Sequence, residues 1–224
     1  MAFEPAVARP HSAESVLATN KVLRNTYMLL SLTLFFSALT AVVSMAVNAP
    51  PMTVIICMVA AIVLGMFVLP RFANSGTGIA LVFLITGLLG FALGPLLTYY
   101  LSLANGSQII GTAMAGTGII FLALSGYVLT TRKDFSFMGG FLMVGMLVLF
   151  GAIIANIFLA IPALSLTISA AVIFIMAGFI LYDTSRIING GETNYVMATV
   201  SLYMNIFNIF VHLLSILGIM GGDD

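Results

Sequence analysis

Ser201, Asn205, Asn208, His212 and Ser215 step by 4, 3, 4 and 3 residues through an otherwise apolar stretch, Tyr195–Leu217. That spacing stacks all five on one face of an α-helix. In apolar surroundings a stripe of hydroxyls, carboxamides and an imidazole has two uses. It can hydrogen-bond to facing helices, at about 0.6–2 kcal/mol per contact. It can also line a path open to water or ions. Both uses require the stripe to face inward. Asp183 and Arg186 stand at i, i+3 just beyond a second apolar stretch, Leu164–Tyr182. They can form an interfacial ion pair. Alternatively Asp183 is a buried carboxylate whose titration is set by desolvation against the guanidinium nearby.

Other chemistry is poorly supported. His212 alone is a weak metal site, since zinc takes three or four protein ligands. The single cysteine, Cys57, lies in an apolar run, which rules out an intrachain disulfide and a cysteine-based metal centre. No metal or cofactor is expected. An intramembrane hydrolase needs a nucleophile with a base, or two carboxylates, at bilayer depth. The nearest approach is His212 with Ser201 or Ser215, and no orienting carboxylate accompanies them. Neither a Gly-x-Ser-x-Gly elbow nor a Gly-x-x-x-x-Gly-Lys loop occurs. The chain is therefore not expected to be an enzyme.

The elements that must position these residues follow from composition. The 224 residues are 62% hydrophobic and 6% charged, against about 25% charged in soluble domains. Seven apolar stretches approach the ~20 residues a helix needs to cross a bilayer: about Tyr27–Val47, Met52–Leu69, Gly78–Leu97, Ile109–Thr130, Phe137–Leu159, Leu164–Tyr182 and Tyr195–Leu217. They lack the period-two alternation of barrel strands and are twice a strand's length. Short connections such as Asn48-Ala-Pro-Pro51, Asn105-Gly106, Ile161-Pro162 and Asn189-Gly-Gly191 separate them. Gly90-x-x-x-Gly94 fits a close helix–helix contact, and Gly94-Pro95 is expected to kink or end the third span. Asn156 in the fifth span reads as interhelical glue. The expected fold is an all-α membrane protein, a seven-transmembrane-helix bundle whose last helix is central because its polar stripe must be enclosed.

Charge placement sets an orientation. Arg9, Lys21 and Arg24 precede the first span, Arg71 follows the second, Arg132 and Lys133 the fourth, and Arg186 the sixth. The connections after spans one, three and five carry none. Cationic loops stay in the cytoplasm, so the N-terminus is expected inside and the C-terminus on the other side of the membrane. Residues 1–24 read as a flexible cytoplasmic tail and 25–220 as the transmembrane domain. The tail lacks the short apolar core of a secretory signal, and no cleavage is expected. Formal net charge is zero and no basic stripe occurs, so membrane lipid and not nucleic acid is the expected surrounding partner.

Several strings carry a family resemblance: Lys21-Val-Leu-Arg-Asn-Thr-Tyr27, Gly90-Phe-Ala-Leu-Gly-Pro-Leu-Leu97, Tyr127-Val-Leu-Thr-Thr-Arg-Lys-Asp134, Gly190-Gly-Glu-Thr-Asn-Tyr195 and Ala198-Thr-Val-Ser-Leu-Tyr203. From about Lys21 to Gly218 the chain resembles bacterial inner-membrane members of the Bax-inhibitor-like (transmembrane BAX inhibitor motif) family. The resemblance implies a seven-helix fold with the last helix at its centre. It implies partners, the membrane AAA protease FtsH with HflK and HflC, for which such proteins act as slowly degraded substrates and modulators. Residues 1–20 would then be the flexible segment the protease grips. Other members of the family leak calcium in a pH-dependent way through two facing aspartates on the last two helices. Asp183 matches the first. The second would fall within Ser201–Asn205, where this chain has Asn205, which neither titrates nor adds charge. A pH-sensitive cation leak is the alternative function, weakened by that departure.

Overall fold

The structure, a computed structural model, describes residues 13–221, with side chains from Lys21 onward. Seven helices follow one another: α1 (Ala13–Ala46), α2 (Met52–Phe72), α3 (Gly76–Leu101), α4 (Gly106–Thr131), α5 (Gly139–Leu159, entered through a 3-10 turn at Ser136–Met138), α6 (Pro162–Ile188) and α7 (Tyr195–Gly221). Counting α1 from Lys21, the apolar spans are 21 to 27 residues long. At about 1.5 Å per residue this is enough to cross a hydrocarbon core of about 30 Å. The protein is an all-α membrane protein.

Helix ends differ from the sequence expectation in an instructive way. α6 does not stop at Tyr182 but continues to Ile188, carrying Asp183 and Arg186 inside the helix. α1 begins at Ala13, well ahead of Tyr27. Residues 1–12 of the expected tail lie outside the described residues. Gly94-Pro95 does not end α3, which runs on to Leu101. An interior proline removes one backbone hydrogen bond, and neighbouring helices tolerate that loss in a membrane protein. α2 contains a π-helical turn at Leu64–Val68. The tight turn from α5 into α6 is held by Asn156, whose Oδ1 accepts from Ile161 N at 3.2 Å while Nδ2 donates to Ser165 Oγ at 2.6 Å.

The arrangement encloses α7. It lies against α1, α3, α4 and α6, while α2 rests on α3 and α5 rests on α6. The outer helices turn side chains such as Ile55, Met66, Leu147 and Phe158 outward, as a surface solvated by lipid requires. The seam between α1 and α3 is the closest. A Cβ added at Gly90 would lie 2.2 Å from the Ser37 carbonyl, and one at Gly94 would lie 2.1 Å from Ser44 Oγ. The glycines are there because nothing larger lets these backbones meet.

One end of the bundle carries all the charge among the described residues. Lys21 and Arg24 start α1, Arg71 ends α2, Arg132, Lys133 and Asp134 follow α4, and Asp183, Arg186 and Glu192 close α6. Hydrogen bonds tie that end together: Asn194 Nδ2 to Asn74 Oδ1 at 2.6 Å, Phe135 N to Ser185 Oγ at 2.8 Å, and Tyr27 with Ser125. The connections at the opposite end contain no charged residue.

Candidate functional site

The site lies where α6 and α7 converge near the charged end. Because α6 continues past Tyr182, Asp183 points at α7 and is 8% exposed. A buried carboxylate must be hydrogen-bonded or it is very costly. Two donors from the α7 stripe meet it: Ser201 Oγ at 2.6 Å and Asn205 Nδ2 at 2.8 Å, both on Oδ2. Asn205 is itself 5% exposed. Ser201 and Asn205, one turn apart on α7, thus hold a carboxylate on α6.

Arg186 does not join this group. Its Nη2 lies 3.6 Å from Glu192 Oε2 and donates to the Gly191 carbonyl at 3.0 Å, with the guanidinium 5.6 Å from the centre of the Tyr182 ring. The expected Asp183–Arg186 pair gives way to Arg186–Glu192. Short side chains on the facing helix reach Asp183 first, and the long arginine folds over the turn that follows α6. A cavity of about 150 Å³, lined by Asp183, Ser201, Arg186 and Glu192 among others, leads toward the carboxylate from the charged end.

The rest of the stripe divides. His212 Nδ1 lies 3.1 Å from Ser169 Oγ on α6, so the hydroxyl beside the imidazole is Ser169 and not Ser215. Asn208 Nδ2 donates to the Met204 carbonyl of its own helix at 2.8 Å. Between the Asp183 group and the His212–Ser169 pair stand Met176, Ile180 and Ile209, all fully buried. The stripe's bonds to α6 fall into two groups, Ser201 and Asn205 on Asp183 and His212 on Ser169.

One participant was not visible in the sequence pattern. Tyr203 is 1% exposed on another face of α7. Its OH lies 2.6 Å from Ser37 Oγ of α1 and donates to the Thr86 carbonyl of α3 at 3.3 Å. Reading Tyr203 as an apolar side chain hid it. The mid-span hydroxyls Ser37 and Thr86 were the available signal. α7 therefore bonds to neighbours on two faces, which is why it sits in the middle.

Chemically, the arrangement is a lock, in which two donors on α7 hold one carboxylate on α6. Asn205 presents its N–H to Asp183, and Ser201 its hydroxyl proton. Calcium takes six to eight oxygen ligands, and one carboxylate already engaged by two donors offers few. Among the described residues no three of His, Cys, Asp and Glu gather into a possible metal site.

With this geometry in view, comparison with known proteins is informative. The family model described as inhibitor of apoptosis-promoting Bax1 matches residues 19–222. The chain is 52% identical over 217 residues to the protein named Modulator of FtsH protease YccA from Escherichia coli K12, covering 97% of this chain and 98% of that one. An Escherichia coli O6:H1 relative, named Inner membrane protein YccA, matches with the same identity and coverage. A protein of Vibrio cholerae described as an uncharacterized membrane protein is 47% identical over 98% of this chain and 99% of its own length.

Proposed function

The chain belongs to the family of inhibitors of apoptosis-promoting Bax1, and from that membership we propose that it is a non-catalytic inner-membrane modulator of the FtsH protease. In this reading it is a slowly degraded substrate that occupies the protease within its complex with HflK and HflC. The observation that carries the proposal is the 52% identity, over 97% of this chain, to a protein named a modulator of FtsH.

Physical features of the fold support it. A processive protease must grip a terminal segment and then pull helices out of the bundle. Residues 1–12 precede α1, which begins eight residues before its apolar span at Lys21. At about 1.5 Å per residue those eight residues lift the start of α1 about 12 Å from the span. Extraction of α1 must then undo the glycine seam with α3 and the Ser37–Tyr203 contact with α7. A first helix that is hard to remove makes a slow substrate. The cation-leak alternative has Asp183 but only an amide opposite it, and the geometry of the pair does not favour it.

Pulse–chase in cells with and without FtsH tests the proposal. The full chain should disappear in an FtsH-dependent manner. The same chain lacking residues 2–12 should persist several-fold longer while still co-purifying with FtsH. Equal turnover of the two chains would remove the grip from the account. Failure of the native chain to co-purify with FtsH would remove the whole reading.

A further inference from the structure

α1 and α4 meet near the charged end, where Tyr27 bonds to Ser125 and its ring lies 6.1 Å from that of Phe121. Beyond that apex they part. The wedge between them is a groove of about 470 Å³, floored by α3 and α7 and walled by side chains such as Leu34, Ala38, Met114 and Phe121. Small residues widen it. Ala38 is exposed, and a Cβ built on Gly118 meets nothing within 4 Å. Small residues at facing positions normally draw two membrane helices together. Here they leave a gap.

We propose that this groove binds one acyl chain of a phospholipid, entering from the uncharged end of the bundle. The polar atoms on the groove's walls are already satisfied: Ser37 and Tyr203 by each other, and Thr117 by the Ala113 carbonyl at 2.7 Å. The groove therefore offers a ligand contact with hydrocarbon alone. An empty apolar void would forfeit dispersion contacts along its whole lining. Its closed apex disfavours a partner helix. A rod crossing the bilayer would strike the Tyr27–Ser125 apex. A single flexible chain reaching in from one leaflet tapers as the wedge does.

The chain has no tryptophan, so one introduced indole is the only one present. Full-length Met114→Trp places it at the groove's rim, and Ile154→Trp places it on the outer face of α5 as a reference. Each protein in detergent is titrated with phosphatidylcholine brominated on its acyl chains. Quenching of the Met114→Trp fluorescence should saturate near equimolar lipid. Adding Gly118→Phe to fill the groove should raise the half-saturating lipid about tenfold, a shift equivalent to about 1.4 kcal/mol. The Ile154→Trp signal should decline gradually with or without Gly118→Phe. Should Gly118→Phe fail to fold, Ala38→Leu fills the same space from the other wall, with the same expectation. The proposal falls if Met114→Trp quenches as gradually as the reference. It also falls if blocking leaves the saturation unchanged, or if brominated free fatty acid saturates the site and the phospholipid does not.

Discussion

Asp183 is a carboxylate withdrawn from water and held by side chains of the neighbouring helix. Its position depends on two donors from α7, and removing one should be felt directly. Asn205→Ala deletes the 2.8 Å bond and leaves the buried oxygen with Ser201 alone. A lost partner to a buried charged group costs about 1–3 kcal/mol, to be read as a lower unfolding midpoint in detergent micelles. Asn208→Ala is the matched comparison. Its amide bonds only to the Met204 carbonyl of its own helix, so it should change stability by less than about 0.5 kcal/mol. Equal effects would mean that the Asp183 lock contributes nothing special. The stripe itself was legible from the 4, 3, 4, 3 spacing, because helical periodicity fixes which residues share a face. The partners were not. Whether Ser201 meets Asp183, or His212 meets Ser169, depends on how α6 is rotated about its axis, and no periodicity within α7 reports that.

The seven helices could be read from apolar length alone, since lipid leaves the backbone no other open choice. Their ends were harder to see. The apolar stretch ends at Tyr182, where the first charged residue follows, yet α6 needs only local hydrogen bonds to continue, and α7 supplies the partners that make a buried Asp183 tolerable. Pro95 was read as a kink or an end, and α3 runs on through it to Leu101. The Gly90-x-x-x-Gly94 contact was legible because backbone approach requires the absence of a side chain. Its strength can be tested on that basis. Gly94→Leu would place a Cβ 2.1 Å from Ser44 Oγ, and the α1–α3 seam would have to open. Overpacking of this kind costs about 1–3 kcal/mol, so the unfolding midpoint in micelles should fall. If α1 is pulled first by a protease, the variant should also be degraded faster. Gly111→Leu, where an added Cβ meets nothing within 4 Å, should leave both measurements near the parent's. A Gly94→Leu protein as stable as the Gly111→Leu protein would contradict the seam's role.

At the scale of the molecule, charge asymmetry is the feature on which the proposed function depends. Seven crossings put the two ends of the chain on opposite sides of a bilayer, and every described lysine and arginine lies at one end of the bundle. Moving those cations across hydrocarbon during insertion is unfavourable, at about 2.5–3.5 kcal/mol for each one held at the bilayer centre. They are therefore expected on the side that synthesises the chain. The proposed function needs residues 1–12 on that same side, within reach of the ATP-driven part of a membrane protease. Reporter fusions decide the point. Alkaline phosphatase joined after Gly221 should be active, because it folds only outside the cytoplasm, and the same enzyme joined after Lys133 should be inactive. A cytoplasm-dependent fluorescent reporter should give the opposite pattern at both positions. Activity of alkaline phosphatase after Lys133 would put the charged end outside. The grip on the N-terminus, and with it the proposed relation to FtsH, would then have no physical route.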